Sequence, residues 1–356
     1  MVSHGGNIEE AIEKYGLKNK TLIDFSANIN PLGVSSAVKK AIYNNIGIIV
    51  DYPDTECRNI KKSLSAYLEV PQDNLLVGNG SVELIFLIVL ALKLKRVLIP
   101  VPAFGEYERA VGLYGGKSNF VDIHNASPRI RMSKIKKHFN RIDALFICNP
   151  NNPSGFLFEQ EELRFLIDEC DKRRILLIID EAFMDFVKNN DKLTAVKLAC
   201  KKNNLLVLRS LTKFFALPGL RIGYLAANEN LIEKISYFRQ PWSVNSLAQL
   251  VGAQVIKDGA FIKKSRSYMF IERKRLFDAL SKIEYLVPYP PAANFIFCEI
   301  SKSKINSHKL CDYCGKKGLL LRDCSDLRGL DGRFIRIAVR RADENNKLIK
   351  VLQEFL

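Results

Sequence analysis

The sequence predicts an α/β protein in which a large, mostly parallel α/β domain is followed by a smaller α+β domain. Two patterns carry this expectation. From residue 75 to 226, short runs that are apolar almost throughout alternate with segments whose apolar residues recur at helical spacing. Strands covered by helices on both faces read in that way. After about residue 280 the pattern changes to strand-like runs accompanied by two helical stretches, as in segregated α and β elements. With 356 residues, 47% of them apolar, the chain has ample material for buried cores.

In order along the chain, "LIFLIVLAL" (84–92) is half the length of a bilayer-spanning helix and reads as a buried helix. The strand runs are "RVLIPV" (96–101), "DALFIC" (143–148), "ILLIID" (175–180), "LLVLR" (205–209) and "IGYLA" (222–226). Between the second and third of these, "EQEELRFLIDECDKR" shows the spacing of an amphipathic helix. Helical patterns fill roughly 229–280. "NFIFCEI", "GLLLR" and "FIRIAV" then read as strands, with helices near 303–317 and 343–355. On this reading residues 40–255 form the large domain, and 1–39 with 256–356 form the smaller one. Catalytic groups are expected at strand ends, in the crevice between the two.

Composition excludes several function classes. The net charge is +16, but the 54 Lys and Arg residues are dispersed, without aromatic interleaving or a nucleic-acid motif. A solvated surface that steers anionic substrates is the simpler reading. The N-terminus "MVSHGGNIEEAIEKYG" lacks a basic flank and an apolar core, so a cytoplasmic protein is expected. Eight cysteines sit mostly in apolar stretches, as reduced thiols do. His308, Cys311, Cys314 and Cys324 include a C-x-x-C, yet a second closely spaced ligand pair is missing and no metal is expected.

Five stations in the large domain suggest chemistry. "VGNGSVELIF" leads from a glycine-rich turn into a helix starting near Ser81, whose free backbone N–H groups suit a phosphate. "PVPAFGEYERA" sets Phe104 just after a strand, where it can stack on a flat ring or simply fill the core. "CNPNNPSG" puts Asn152 at a strand end as a possible amide donor. Asp180 ends an apolar strand and needs a cationic partner or solvent. Lys213, framed by Ser210, Thr212 and Arg221 in "SLTKFFALPGLRIGY", suits a lysine made reactive by burial.

Asn152, Asp180 and S-x-x-K-x7-R (Ser210, Lys213, Arg221), in this order and spacing, resemble the fold-type I pyridoxal-phosphate (PLP) enzymes, class I/II aminotransferases, over nearly the whole chain. The resemblance implies a mostly parallel seven-stranded sheet and a catalytic pair, Lys213 and Asp180. Lys213 would carry PLP as a Schiff base and Asp180 would pair with its ring nitrogen. Asn152 would donate to the phenolic oxygen and Phe104 would stack on the ring. Ser81, Val82, Ser210 and Arg221 would bind the phosphate. Tyr52 in "DYPD" resembles a tyrosine that reaches the same phosphate from a partner subunit, which implies a homodimer.

Further stretches, "HGGN" (4–7), "DFSANINPLG" (24–33), "PWSVN" (241–245) and "LLLRDCSDLRGLDGRFIRIAVR" (319–340), resemble the branch of that family that decarboxylates threonine phosphate in cobalamin biosynthesis. The implied substrate is a phosphorylated amino acid gripped by His4, Asn28, Asn152, Arg322 and Arg336. Phe183 stands where many relatives carry a tyrosine after "DEA". Transamination of histidinol phosphate with 2-oxoglutarate uses the same cofactor residues and stays open, as does a non-catalytic anion-binding protein of the same fold.

Overall fold

A computed structural model describes residues 5–17 and 22–355 of the chain. Its strands are β1 (Ile23–Asp24), β2 (Leu75–Gly78), β3 (Arg96–Val101), β4 (Lys117–Asp122), β5 (Ala144–Cys148), β6 (Leu176–Asp180), β7 (Leu205–Ser210), β8 (Gly223–Ala227), β9 (Leu286–Pro288), β10 (Phe295–Ile300), β11 (Leu319–Leu320), β12 (Arg322–Asp323) and β13 (Phe334–Ala338). Seven of them form one sheet in the order β2-β8-β7-β6-β5-β3-β4. β8 runs antiparallel to both its neighbours, and every other pairing is parallel. The expected seven-stranded, mostly parallel sheet is therefore present.

That topology brings the functional sequence together. Parallel strands end at a common edge, so the segments that follow them converge there. β8 is antiparallel, so its first residue reaches the same edge as the last residues of β2 and β7. The register shows this directly: Cys148 lies opposite Asp180, while Ser210 and Gly78 flank Gly223. The interior strands β5, β7 and β8 are buried at every position, and the helix Gly80–Ala91 packs on the sheet with Leu84, Ile85 and Ile88 fully buried. None of the described helices is long and apolar enough to cross a membrane.

A second sheet, β12-β13-β10-β9, is antiparallel throughout. β1 pairs in parallel with β11, which joins Ile23–Asp24 to the C-terminal part of the chain. Two strands of the large sheet carry no clear sequence signal. β4, "KSNFVD", is an edge strand with a partly exposed, polar face, and β2 is only four residues long. The single run "GLLLR" divides into β11 and β12 because the chain changes sheets between Leu320 and Arg322.

One buried charge network braces the edge from below. Arg209, next to Ser210, donates to Glu181 at 3.1 Å and to Asp185 at 2.6 Å. Glu181, next to Asp180, is fully buried and also accepts from the Ala195 N–H at 2.8 Å. A buried cation left without these acids would be strongly destabilising, so the network fixes the backbone of two adjacent site residues. The eight cysteines are free, and no group of side chains suited to a metal occurs among the described residues. Cys311 and Cys314 lie one turn apart on the helix Ser307–Lys316, where burial pushes the Cys314 thiol up to about 12.

Candidate active site

A cavity of about 390 Å³ opens where the C-terminal edge of the large sheet meets the small sheet. Asn152, Asp180, Ser210, Lys213 and Arg221 line it, as do Phe104, Ser81 and Val82. From the N-terminal and C-terminal parts of the chain come Asn28, Arg322 and Arg336. Tyr52 is not among the lining residues. It is 81% exposed and lies against Trp242 with ring centroids 4.7 Å apart. His4 falls outside the described residues, but the next residue, Gly5, lines the cavity.

Lys213 lies on the one-turn helix Leu211–Phe214 that follows β7. Its turn is held by Asn30, whose N–H donates to the Lys213 carbonyl at 3.0 Å and whose amide donates to the Phe214 carbonyl at 2.7 Å. Burial, reinforced by the charges of Arg221 and Arg336, lowers the Lys213 ammonium to about 8, with Asp180 opposing. An amine in that range is a competent nucleophile near neutral pH.

Asp180 is 4% exposed, and its carboxyl is raised by desolvation. It accepts from the Ala182 N–H at 2.9 Å and from the Tyr107 hydroxyl at 2.6 Å. Both bonds favour its charged form, and they work against burial. Tyr107 was not legible as a site residue. Its ring stacks on Phe146 (4.8 Å, 10°) and meets Phe104 edge-on (5.7 Å, 83°), so it joins the carboxylate to the expected ring-stacking residue. Its phenol is held protonated by burial and by Asp180, which keeps it a donor.

At the other end of the cavity the helix Gly80–Ala91 presents its first turn. Gly80 adopts φ +82, and a Cβ built there would stand 2.4 Å from Arg221 Nη2. Only glycine lets the guanidinium approach the helix terminus this closely. The unpaired N–H groups of a first turn, backed by a cation, make an anion cradle. Arg221 itself sits at φ 54, a left-handed conformation uncommon for a side-chain-bearing residue and typical of functional sites. The Ser210 and Thr212 hydroxyls are 2.7 Å apart beside it.

Arg322 on β12 and Arg336 on β13 stand directly opposite each other, each 7% exposed. Like charges in that relation are destabilising. Desolvation and Arg322 together lower the Arg336 guanidinium to about 10. Arg336 donates to Asn152 Oδ1 and, at 2.7 Å, to the Ser26 carbonyl. With its oxygen engaged, Asn152 has its NH2 left to donate. On the lining residues two buried polar atoms find no partner among the described residues, Arg336 Nε and Asn28 Oδ1. Glu106, 4% exposed, also lines the cavity and pairs with Arg109 at 3.1 Å. It is a further residue that sequence spacing did not single out.

The donor set is specific in its demands. It offers a reactive amine, a buried carboxylate without an ion pair among the described residues, an aromatic face and an anion cradle. A flat ligand with a carbonyl, a protonated ring nitrogen and a phosphate would satisfy all four, and PLP has these groups.

Residues 20–352 match the model of the family "Aminotransferase class I and II", a PLP-dependent family. The chain is 36% identical to the threonine-phosphate decarboxylase of Salmonella typhimurium over 357 residues, covering 99% of this chain and 96% of that one. Among solved structures it resembles the L-threonine-O-3-phosphate decarboxylase of Porphyromonas gingivalis (26% identity, TM-score 0.83, 93% and 98% of the two chains). It also resembles the histidinol-phosphate aminotransferase of Clostridium acetobutylicum (32% identity, TM-score 0.87, 94% and 98%). With the match spanning residues 20–352, nearly the whole chain, this protein belongs to the class I and II aminotransferase family.

Proposed function

We propose that this protein is a PLP-dependent decarboxylase that converts L-threonine O-3-phosphate to (R)-1-amino-2-propanol O-2-phosphate and CO2, a step of cobalamin biosynthesis. The observation that carries the reading is the pair of buried, directly opposed guanidiniums, Arg322 and Arg336, in the wall of a cavity that also holds Lys213 and Asp180. Two such cations suit a substrate that brings both a carboxylate and a phosphate. The nearly full-length likeness to a protein named for this reaction supports it further.

In this reading Lys213 would hold PLP, Asp180 would face its ring nitrogen, Asn152 would donate to its phenolic oxygen and Phe104 would cover its ring. Ser81, Val82, Ser210 and Arg221 would hold its phosphate. When bound, PLP supplies an electron sink for the pair left when a bond at Cα breaks. Which bond breaks is decided by this chain's own residues. Arg322, Arg336, Asn28 and His4 would fix the substrate phosphate and carboxylate, and so orient the Cα–carboxylate bond. Lys213, with its ammonium lowered to about 8, would return the proton that Cα needs after CO2 leaves.

Tyr107 enters as a positioning residue for Asp180. Tyr107→Phe removes the 2.6 Å bond that favours the carboxylate form. A loss of about tenfold in kcat and a weaker PLP affinity by a similar factor are expected, ~1.4 kcal/mol for one charge-assisted bond. Turnover and equilibrium dialysis of PLP check both.

We further propose a homodimer in which Tyr52 serves the partner's site. Exposed Tyr43, Ile46, Ile49, Val50 and Trp242 accompany it in sequence or in contact, and an apolar surface of that kind suits burial. The division into a large domain, 40–255, and a smaller one, 1–39 with 256–356, is our reading of the two sheets.

A second reading, histidinol-phosphate aminotransferase, is favoured by the likeness to the Clostridium acetobutylicum enzyme. One assay separates them. Purified protein with PLP and L-threonine phosphate is expected to release CO2 and aminopropanol phosphate. Glutamate formed from histidinol phosphate and 2-oxoglutarate, without CO2 from threonine phosphate, would replace the first reading by the second.

A further inference from the structure

We infer that Asp326 is a displaceable internal counter-ion, a carboxylate that occupies Arg322 until the substrate's anion takes its place. The inference rests on the reading of this cavity as the site of an anionic substrate. Its starting point is the cross-strand pair of cations. The Arg336 bonds run to neutral acceptors, Asn152 Oδ1 and the Ser26 carbonyl. Arg322 is treated differently. Its Nη2 lies 2.8 and 3.1 Å from the two carboxylate oxygens of Asp326, four residues further on, and its Nη1 donates to the Asp323 carbonyl.

The pair is asymmetric in its exposure. The Arg322 side chain is 9% exposed and that of Asp326 31%. The cation is therefore buried in the cavity wall while the acid is in partial contact with water. A fully buried pair is costly to separate, because each charge loses its compensation. Here the departing carboxylate regains hydration, and the arriving anion compensates Arg322. A phosphate monoester brings up to two negative charges and three acceptor oxygens, against one carboxylate. An anion held at Arg322 also faces Arg336, its register partner across the sheet.

The surrounding chain permits this exchange without unfolding. Beyond Asp326, Leu327 lines the cavity, and Arg328 clamps the segment to the large sheet. Its guanidinium donates to Glu108 at 2.6 and 3.1 Å and lies 4.1 Å from the Phe120 ring centroid. Before Asp326, Asp323 is paired in β12 and Cys324 is fully buried. Asp326 thus lies between two anchors, so an exchange of partners at Arg322 asks for movement of its side chain and not of the segment. In the absence of substrate it relieves the repulsion between Arg322 and Arg336, and in its presence it competes for Arg322.

A competitor has a signature that a structural residue lacks, since removing it tightens binding. The test uses holoenzyme of wild type, Asp326→Asn and Asp326→Ala, with melting temperature and cofactor absorbance as controls of integrity. Inorganic phosphate is titrated by calorimetry, and KM and kcat are measured with L-threonine O-3-phosphate. Both variants are expected to bind phosphate about three- to tenfold more tightly, the scale of a partly exposed ion pair, with a parallel fall in KM. Unchanged or weaker phosphate binding in the folded Asn variant overturns the proposal. The phosphate titration does not depend on turnover. Tighter phosphate binding with no turnover of threonine phosphate would retain the counter-ion and remove the decarboxylase reading, and the reverse result would do the opposite.

Discussion

Lys213→Ala is expected to lower kcat by at least about three orders of magnitude, ~4 kcal/mol or more, the scale of losing a covalent catalytic group. The variant loses the one amine among the lining residues whose ammonium is lowered, by burial and by Arg221 and Arg336, to about 8. PLP should still bind through Ser81, Val82, Ser210, Arg221 and Asp180, but reversibly. Dialysis that leaves wild type loaded should strip the variant, and borohydride should fix cofactor to wild type only. A pH test follows from the same shift. The neutral amine is the reactive form, and its fraction rises as pH increases through 8. Uptake of PLP by the apoprotein should therefore accelerate up to about pH 8 and level off above it. A rise continuing toward the ordinary lysine range would show that Lys213 is not buried as described. Retention of activity in Lys213→Ala would favour a non-catalytic protein of this fold.

Asp180→Asn is expected to cost about 10²- to 10³-fold in kcat, ~2.7–4 kcal/mol, as for other preorganised charges at a reacting centre. The substitution keeps the shape and removes the charge. Its effect on the apoprotein has the opposite sign. Burial raises the Asp180 carboxyl, so the folded state binds its proton more tightly than the unfolded chain does. Stability linked to that proton is fully present below the unfolded carboxylate range and is lost as pH rises through the raised folded value. At neutral pH the apoprotein therefore bears a cost for the buried charge that Tyr107, Ala182 and Lys213 offset only in part. Asp180→Asn should leave its melting temperature unchanged or higher at pH 7, and PLP should stabilise wild type more than the variant. A variant apoprotein that melts well below wild type, or one with normal turnover, would show that the carboxylate is structural.

The residues that sequence alone exposed share a physical property. Asn152, Asp180, Ser210, Lys213 and Arg221 lie at or just beyond the ends of apolar strands, where a polar or charged residue contrasts with its neighbours. In a parallel sheet such strand ends gather at one edge, so a one-dimensional signal becomes a site. Arg322 and Arg336 were legible for the same reason, as cations in the strand-like "LLLRDC" and "FIRIAV". Tyr107, Glu106 and Asp326 were not. Tyr107 and Glu106 lie in the first turn of an ordinary amphipathic helix, Glu106–Leu113, and Asp326 lies in a polar loop, contexts in which such residues need no explanation.

What the sequence by itself determined was the class of fold, the strands with continuous apolar runs and the polar or charged residues that stand out at their ends. These depend on local periodicity and on the cost of burying a charge, both of which can be read along the chain. Only the tertiary structure decided the reversed direction of β8, the bond from Tyr107 to Asp180, the cross-strand opposition of Arg322 and Arg336, and the occupation of Arg322 by Asp326. Each of these is a matter of register or of contact between separate segments. Hydrogen bonds and charge repulsions act over a few ångströms in space, and the order of residues along a chain does not fix those distances until the chain has packed.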